Sequence, residues 1–157
     1  MKRTVLCSLL AALLSVPAIA EEVTHSFLGV GKASKAVIIG EDGKVSWKMD
    51  LPASDGWVLP NGNVLLALYA CEGFPNGGAV EVERDSNKIV FSYQGSQKET
   101  SSVQKLDNGN YLVAELGPKP QAVEVNSKGD VVKTTPLACQ KDNAHMQTRM
   151  LRQLPMA

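Results

Sequence analysis

The sequence predicts an all-β protein made of sheet repeats, because two β-prone segments recur along it. The segment LPNGNVLLA at 59–67 recurs as LDNGNYLVA at 106–114, an offset of 47 residues. A second segment begins with Ala-Val at 36, 79 and 122, an offset of 43 residues each time. Interleaved motifs with periods of this size are typical of propellers made of four-stranded blades. The predicted fold is therefore a partial β-propeller with about two complete four-stranded blades plus flanking strands.

The first motif predicts a hairpin centred on Asn-Gly. Asn61-Gly62 and Asn108-Gly109 each stand between apolar, β-prone runs. Asn-Gly favours a primed two-residue turn, which needs a positive φ at both central residues. The second motif predicts another hairpin, in which an alternating strand is followed by a polar turn and a second β-prone run. Residues that tolerate a positive φ occupy that turn in the three copies, namely Gly43, Asn87 and Gly129.

The two hairpins together define a four-stranded unit. The predicted strands are 55–59, 63–70, 79–83 and 88–94, then 102–106, 110–116, 121–126 and 130–135. Residues 26–49 supply further strands, including a hairpin of 36–40 with 44–48. The segment from His145 to Leu154 has some helical propensity, but its place in the repeat favours the first strand of another blade.

The first twenty residues have the features of a secretory signal peptide. Lys2 and Arg3 precede an apolar stretch at 5–16, and Ala18-Ile19-Ala20 has the small-x-small pattern of a cleavage site. The alternative is an uncleaved membrane anchor, although a spanning helix needs about 20 apolar residues. We therefore expect a signal peptide at 1–20, a single repeat domain at 21–157, and a periplasmic or secreted protein without a membrane anchor after cleavage.

Charge and cysteine content limit the partners and cofactors. The formal net charge of the chain is zero and the basic residues are scattered, so no nucleic-acid partner is expected. Cys71 and Cys139 remain after cleavage, and they either form a disulfide in an oxidising compartment or stay as free thiols. No short ligand pair such as C-x-x-C is present, so no metal site is predicted. No other cofactor is predicted either.

The blade-ending segment resembles that of a known group of propellers. Gly43 and Trp47 have the spacing of the Gly and docking Trp in bacterial quinoprotein-type propellers, related to pyrroloquinoline quinone enzymes. The LPNGN hairpin is similar to repeats of exported arylsulfotransferase-like propellers. Phe91 and Lys133 stand in place of the docking Trp in the later copies. The resemblance covers about 36–155 and implies the fold, whereas function has to be argued from a site.

Three of the candidate ligand-binding residues lie in the segment after the second full repeat, and the fourth lies in a loop of the first. His145, Gln147 and Arg149 alternate, so in a strand they share one face. There the histidine could serve as an acid, a base or a metal ligand, and the arginine could bind a carboxylate, sulfate or phosphate. Glu72 belongs to a loop expected on the same end of the sheets. The plainer interpretation is that His145, Gln147 and Arg149 are solvated polar residues of a terminal strand. Asp55 and Glu115 would form paired carboxylates with Glu72 only if the fold brings them together.

Three functions fit these features. The first is a non-catalytic binding or scaffold module for a small molecule, glycan or protein, favoured because no nucleophile elbow, phosphate-binding loop or dinucleotide fingerprint is present. The second is the N-terminal fragment of a propeller enzyme, a lyase, sulfotransferase or quinoprotein-like enzyme, with a site near His145 and Arg149. The third is a protein whose copies associate to complete the blades, since closed propellers have about 4–8 of them. We expect a truncated propeller, because repeat units need their neighbours to bury their faces; self-association and a small open stack are the alternatives.

Overall fold

A computed structural model describes residues 24–33 and 35–154. In these residues eleven strands form three antiparallel sheets, and a single 3-10 turn covers Ala144–Met146. The predicted signal peptide at 1–20 lies outside the described residues. Within them no helix has the length and apolar character needed to cross a membrane.

Each sheet is a simple meander of consecutive strands. Sheet 1 contains β1 (Phe27–Gly31), β2 (Lys35–Ile39) and β3 (Val45–Met49). Sheet 2 contains β4 (Ala53–Val58), β5 (Val64–Leu68), β6 (Gly78–Glu83) and β7 (Lys88–Gln94). Sheet 3 contains β8 (Glu99–Lys105), β9 (Tyr111–Leu116), β10 (Gln121–Val125) and β11 (Val131–Pro136). The all-β prediction is confirmed, and each predicted strand up to residue 135 coincides with an observed one to within three residues.

The Asn-Gly hairpins differ from the predicted primed turns. Gly62 and Gly109 have φ of 86° and 85°, but the asparagines before them keep negative φ. Leu59 N–H donates to the Asn63 carbonyl at 2.8 Å and Gly62 N–H donates to the Leu59 carbonyl at 2.9 Å. These bonds describe a three-residue loop that ends in a left-handed glycine, a common hairpin alternative. The extra residue accounts for the error, because only the glycine then needs a positive φ.

Sheet 2 lies between the other two sheets and holds the core together. One core cluster joins it to sheet 1 through Ile38, Trp47, Val80 and their neighbours. The other joins it to sheet 3 through Leu65, Phe91 and their neighbours. All five residues of β5 are fully buried, because its side chains alternate between the two clusters.

An aromatic side chain near the end of a sheet makes the contact with the next sheet. Trp47 is buried, and its indole N–H donates to Asn87 Oδ1 in sheet 2 at 2.7 Å. Phe91 stacks on Tyr111 of sheet 3, with ring centroids 3.6 Å apart. The corresponding residue of sheet 3 is Lys133, which is exposed. Sheet 3 therefore presents an exposed lysine where sheets 1 and 2 bury an aromatic ring.

The segment after β11 is not the predicted strand. Ala144–Met146 forms a 3-10 turn, and residues 147–154 have no strand assignment. This segment nevertheless lies along β8, since Ser101 Oγ donates to the Thr148 carbonyl at 2.9 Å and Leu151 N–H donates to Ser102 Oγ at 3.0 Å. Side chains of β8, rather than backbone ladder bonds, fix it in place, which is why the pattern of a regular strand does not develop.

These contacts repeat those between sheets 2 and 3, one period earlier. Ser54 Oγ donates to the Thr100 carbonyl at 2.9 Å, and Val103 N–H donates to Asp55 Oδ2 at 3.1 Å. The segment 148–154 thus lies against β8 in the way that β8 lies against β4.

We expect Gly78→Ala to destabilise the fold severely, because a Cβ there would lie 2.2 Å from the Tyr93 carbonyl oxygen. The backbone of β7 at Tyr93 would have to shift, so we expect the free energy of unfolding to fall by about 3 kcal/mol. Gly29→Ala is the matched control in another strand, where the added Cβ meets a Val37 methyl at an ordinary 3.6 Å. Urea unfolding checks both variants, and equal stabilities would contradict the described packing of β6 on β7.

Candidate functional site

Side chains from all three sheets and from the C-terminal segment meet at one end of the molecule. Tyr69 follows β5 and Glu99 begins β8, while His145 and Arg149 belong to the C-terminal segment. Arg149 donates to the Glu99 carboxylate through Nη1 and to the Tyr69 hydroxyl through Nη2, the latter at 3.4 Å. Lys32, just after β1, lies 5.9 Å from the centre of the Tyr69 ring. We call Lys32, Tyr69, Glu99, His145 and Arg149 the basic cluster.

The cluster combines a nearly covered carboxylate with exposed nitrogen groups. The Glu99 side chain is 13% exposed, whereas the His145 side chain is 64% exposed. His145 Nδ1 lies 3.3 Å from Glu99 Oε1 and 3.4 Å from Arg149 Nη1. Burial acts to lower the pKa of Arg149, but Glu99 outweighs it and raises that pKa, so the guanidinium stays charged. Glu99 therefore holds both basic side chains in fixed positions at the surface.

Gln147 does not join the other predicted ligand-binding residues. Its side-chain amide donates to the Gly117 and Lys141 carbonyls, at 3.1 and 2.6 Å, and its carbonyl oxygen accepts from Gly117 N–H at 2.9 Å. The prediction that His145, Gln147 and Arg149 share one strand face is wrong, because the 3-10 turn changes the direction of successive side chains. The structure brings His145 and Arg149 together and uses Gln147 to anchor the segment.

Glu72 and the two cysteines lie elsewhere. Glu72 is exposed in the turn after β5, and burial, together with the nearby Glu72 charge, raises the pKa of the Cys71 thiol. Cys139 Sγ lies 3.6 Å from Thr148 Oγ1. Both cysteines are free, so the disulfide alternative is not realised in this structure. Cys71 is fixed within its own turn by backbone bonds to Phe74, and Cys139 contacts the C-terminal segment instead.

The other carboxylates that the sequence singled out have separate structural partners. Asp55 pairs with Arg152 Nη2 at 2.9 Å. Glu115 is fully buried and accepts hydrogen bonds from the Tyr93 hydroxyl, the Ser96 hydroxyl and the Gln121 amide. They therefore do not form the paired carboxylates that acid–base chemistry would use. Among the described residues, no group of three His, Cys, Asp or Glu is placed to hold a metal ion.

A polar clamp joins the two recurring motifs, and sequence reasoning missed it. Asn63 Nδ2 donates to Glu81 Oε1 at 2.7 Å, and Asn110 Nδ2 donates to Glu124 Oε1 at 2.6 Å in the next repeat. The second asparagine of each Asn-Gly-Asn loop thus binds the glutamate of the following Ala-Val-Glu-Val strand. The available signal was a glutamate that recurs inside an otherwise apolar strand.

The two clamps differ in burial. Glu81 is 5% exposed and also accepts from the Tyr111 hydroxyl at 2.7 Å and from Lys105 Nζ at 3.2 Å. Burial acts to raise its pKa, but the hydrogen bonds from Asn63, Tyr111 and Lys105 outweigh it and lower the pKa below the ordinary carboxyl range. Glu124 is partly exposed, and hydrogen bonds from Asn110 and Asn108 lower its pKa.

We expect Asn63→Ala to cost about 1–3 kcal/mol, because it removes a donor from a buried carboxylate. Asn110→Ala is the matched control, and it should cost less, since water can reach Glu124. Urea unfolding of both variants at neutral pH measures the difference. An Asn110→Ala loss equal to or above the Asn63→Ala loss would contradict the burial argument.

The loss in free energy of unfolding caused by Asn63→Ala should also depend on pH. A lowered pKa contributes stability that is present above the ordinary carboxyl pKa of about 4.3 and is lost as pH falls through the lowered value. The wild type therefore loses this contribution in acid, and the gap between it and Asn63→Ala should narrow below about pH 4. A gap that widens in acid contradicts the assigned direction of the Glu81 shift.

Comparisons with known proteins bear on the fold alone. No protein-family model and no curated protein matches this chain. A solved structure of a protein of unknown function from Bacteroides caccae, determined at 1.35 Å resolution, is similar with a TM-score of 0.64 and 23% sequence identity. The match covers 80% of this chain and 45% of that chain, so this chain spans less than half of the other protein's length.

Proposed function

We propose that the protein is an exported, non-catalytic binding module with a partial propeller architecture, and that it binds its ligand at the basic cluster. The ligand class that suits the cluster is a small molecule or glycan carrying an anionic group such as a carboxylate or sulfate. The observation that carries this proposal is the convergence of Lys32, Tyr69, Glu99, His145 and Arg149 from different sheets at one surface point.

The propeller part of the proposal draws support from the repeated contacts between neighbouring units. Asp55 accepts from Val103 N–H, and Ser102 at the equivalent position accepts from Leu151 N–H. β4 therefore holds β8 in place, and β8 holds the segment 148–154 in the same way. In propellers the innermost strands of successive blades are neighbours in this way, and their ends surround the central channel. That arrangement would put the basic cluster at a channel mouth.

The charges of the cluster favour an anion. Lys32 and Arg149 carry two positive charges against the one carboxylate of Glu99, and protonated His145 would add a third. Arg149 is already oriented by Glu99 and Tyr69, so little side-chain entropy is lost when its remaining N–H groups bind an oxyanion. The exposed imidazole of His145 can donate to the same group.

We expect inorganic sulfate and acetate to shift the His145 side-chain resonances of the isotope-labelled exported chain in a saturable manner, at constant ionic strength set with chloride. Arg149→Ala should weaken this binding about tenfold or more, because a charge-assisted hydrogen bond contributes about 1.5–3 kcal/mol. Lys128→Ala, a charge removal in the exposed β10–β11 turn, is the control and should bind as the wild type does. Shifts that fail to saturate, or that persist in Arg149→Ala, would contradict the proposal.

The enzyme-fragment hypothesis has one favouring observation. A carboxylate within hydrogen-bond reach of a histidine ring nitrogen can orient the imidazole as a base, and Glu99 Oε1 lies 3.3 Å from His145 Nδ1. An assay of 4-nitrophenyl sulfate with phenol as acceptor separates the two functions. Turnover that His145→Ala abolishes supports the enzyme hypothesis, whereas sulfate binding without turnover supports the binding module.

A further inference from the structure

A groove with a half-exposed tryptophan runs between the two Asn-Gly-Asn loops, at the opposite ends of β4 and β8 from the basic cluster. Its volume is about 590 Å³. One wall is the end of β4 with its loop, 57–61, and the other is the end of β8 with its loop, 104–107. This volume lies in the range of small-molecule sites, about 300–1,000 Å³.

Trp57 is held rigidly and still faces solvent. Its indole N–H donates to the Val103 carbonyl at 2.7 Å, and the Arg152 guanidinium lies over the ring, 4.7 Å from its centre. Asp55 in turn holds Arg152 by a hydrogen-bonded ion pair. Even so, 39% of Trp57 remains exposed, and the neighbouring Val58 is 47% exposed. A pre-ordered aromatic surface costs little entropy on binding.

The polar groups of the groove are neutral amides and one acid. Asn61 and Gln104 contribute side-chain amides, whose oxygens accept from the backbone N–H groups of Asn63 and Gln153 at 3.1 and 2.7 Å. The exposed Asp107 contributes a carboxylate.

Lys105 is already paired with Glu81 at 3.2 Å and lies over the Tyr111 ring, 3.8 Å from its centre. Arg152, which lies over the indole, is likewise paired with Asp55. The groove therefore offers an aromatic surface beside hydrogen-bond donors and acceptors, and both nearby cations are already paired with carboxylates.

The molecule contains a second copy of this groove that lacks the aromatic group. The copy lies between 104–108 and the end of the C-terminal segment, Gln153 and Leu154. Gln104, one period of 47 residues after Trp57, occupies the tryptophan position there. The fold itself does not require a tryptophan at this position of the repeat, because β8 has Gln104 there and still forms.

We propose that the Trp57 groove binds a neutral saccharide, with one sugar ring stacked on the indole face opposite the Arg152 guanidinium. The C–H face of a pyranose ring is apolar and matches an aromatic surface, while its hydroxyls require the amide and carboxylate groups found at the rim. The mixed lining argues against a purely apolar partner, and the paired state of Lys105 argues against an acidic one. This site is independent of the basic cluster, so each can fail without the other.

Acrylamide quenching of the Trp47→Phe variant tests the proposal, because Trp57 is then the one tryptophan of the chain. The probes are maltotriose, cellotriose and triacetylchitotriose, each up to 50 mM. We expect at least one of them to protect Trp57 from quenching in a saturable manner. Protection by none of the three, or protection by a proline-rich peptide alone, overturns the saccharide assignment.

Variants in the groove then localise the binding. Asp107→Ala changes an exposed loop residue and should weaken the bound saccharide about tenfold, the effect of one lost hydrogen bond to a charged group. Asp42→Ala, in an exposed turn of sheet 1, is the control and should leave binding unchanged. Trp57→Gln, which copies the residue at 104, should abolish binding measured by calorimetry while circular dichroism remains that of the wild type. Wild-type affinity in both Asp107→Ala and Trp57→Gln would place the saccharide elsewhere and contradict the proposal.

Discussion

The arrangement of the molecule depends on the burial of sheet 2 between sheets 1 and 3. A single four-stranded meander has two faces and cannot cover either by itself, so each sheet needs a neighbour. The side chains of β5 are fully buried because they alternate between the two core clusters. Each such Leu or Val contributes about 1.5–3 kcal/mol. Loss of sheet 1 would expose Val64, Leu66 and Leu68, and loss of sheet 3 would expose Leu65 and Ala67.

Polar contacts fix the angle and register that this apolar packing alone would leave loose. The buried carboxylates Glu81 and Glu115 each accept several hydrogen bonds. A different register of the sheets would leave these carboxylates buried without donors, which costs free energy. Asp55 has a double role, because it accepts from Val103 N–H and also pairs with Arg152. Arg152 lies over the Trp57 ring, so Asp55 also influences the position of this tryptophan. The positions of β8, the C-terminal segment and the groove therefore depend on one another.

Much of the fold could be predicted from the sequence, because its motifs are local. The turn glycines and the alternating valines specify the hairpins within a few residues, and the period links one hairpin to the next. The segment 144–154 was mispredicted because its conformation depends on side chains of β8 nearly 50 residues earlier, such as Ser101 and Ser102. No local sequence pattern indicates contacts between residues so far apart in the chain.

The candidate sites could be predicted less well, for a related reason. The sequence singled out His145 and Arg149, and the structure places His145 Nδ1 3.4 Å from Arg149 Nη1, but their partner Glu99 comes from β8 and gave no signal in the sequence. Trp57 stands in an apolar, β-prone run, where a tryptophan is usually a buried packing residue. The structure places it beside an open groove because β4 is the edge strand of sheet 2.

The central claim is that the C-terminal segment lies against β8 as β8 lies against β4, since this contact brings His145, Arg149 and Arg152 to their positions. Residue-resolved amide hydrogen exchange of the protein tests it most directly. The account predicts that the amides of Val103 and Leu151 are both protected, and that Ser102→Ala releases the amide of Leu151 but not that of Val103. Exchange of Leu151 at the rate of an unstructured chain in the wild type would contradict the account.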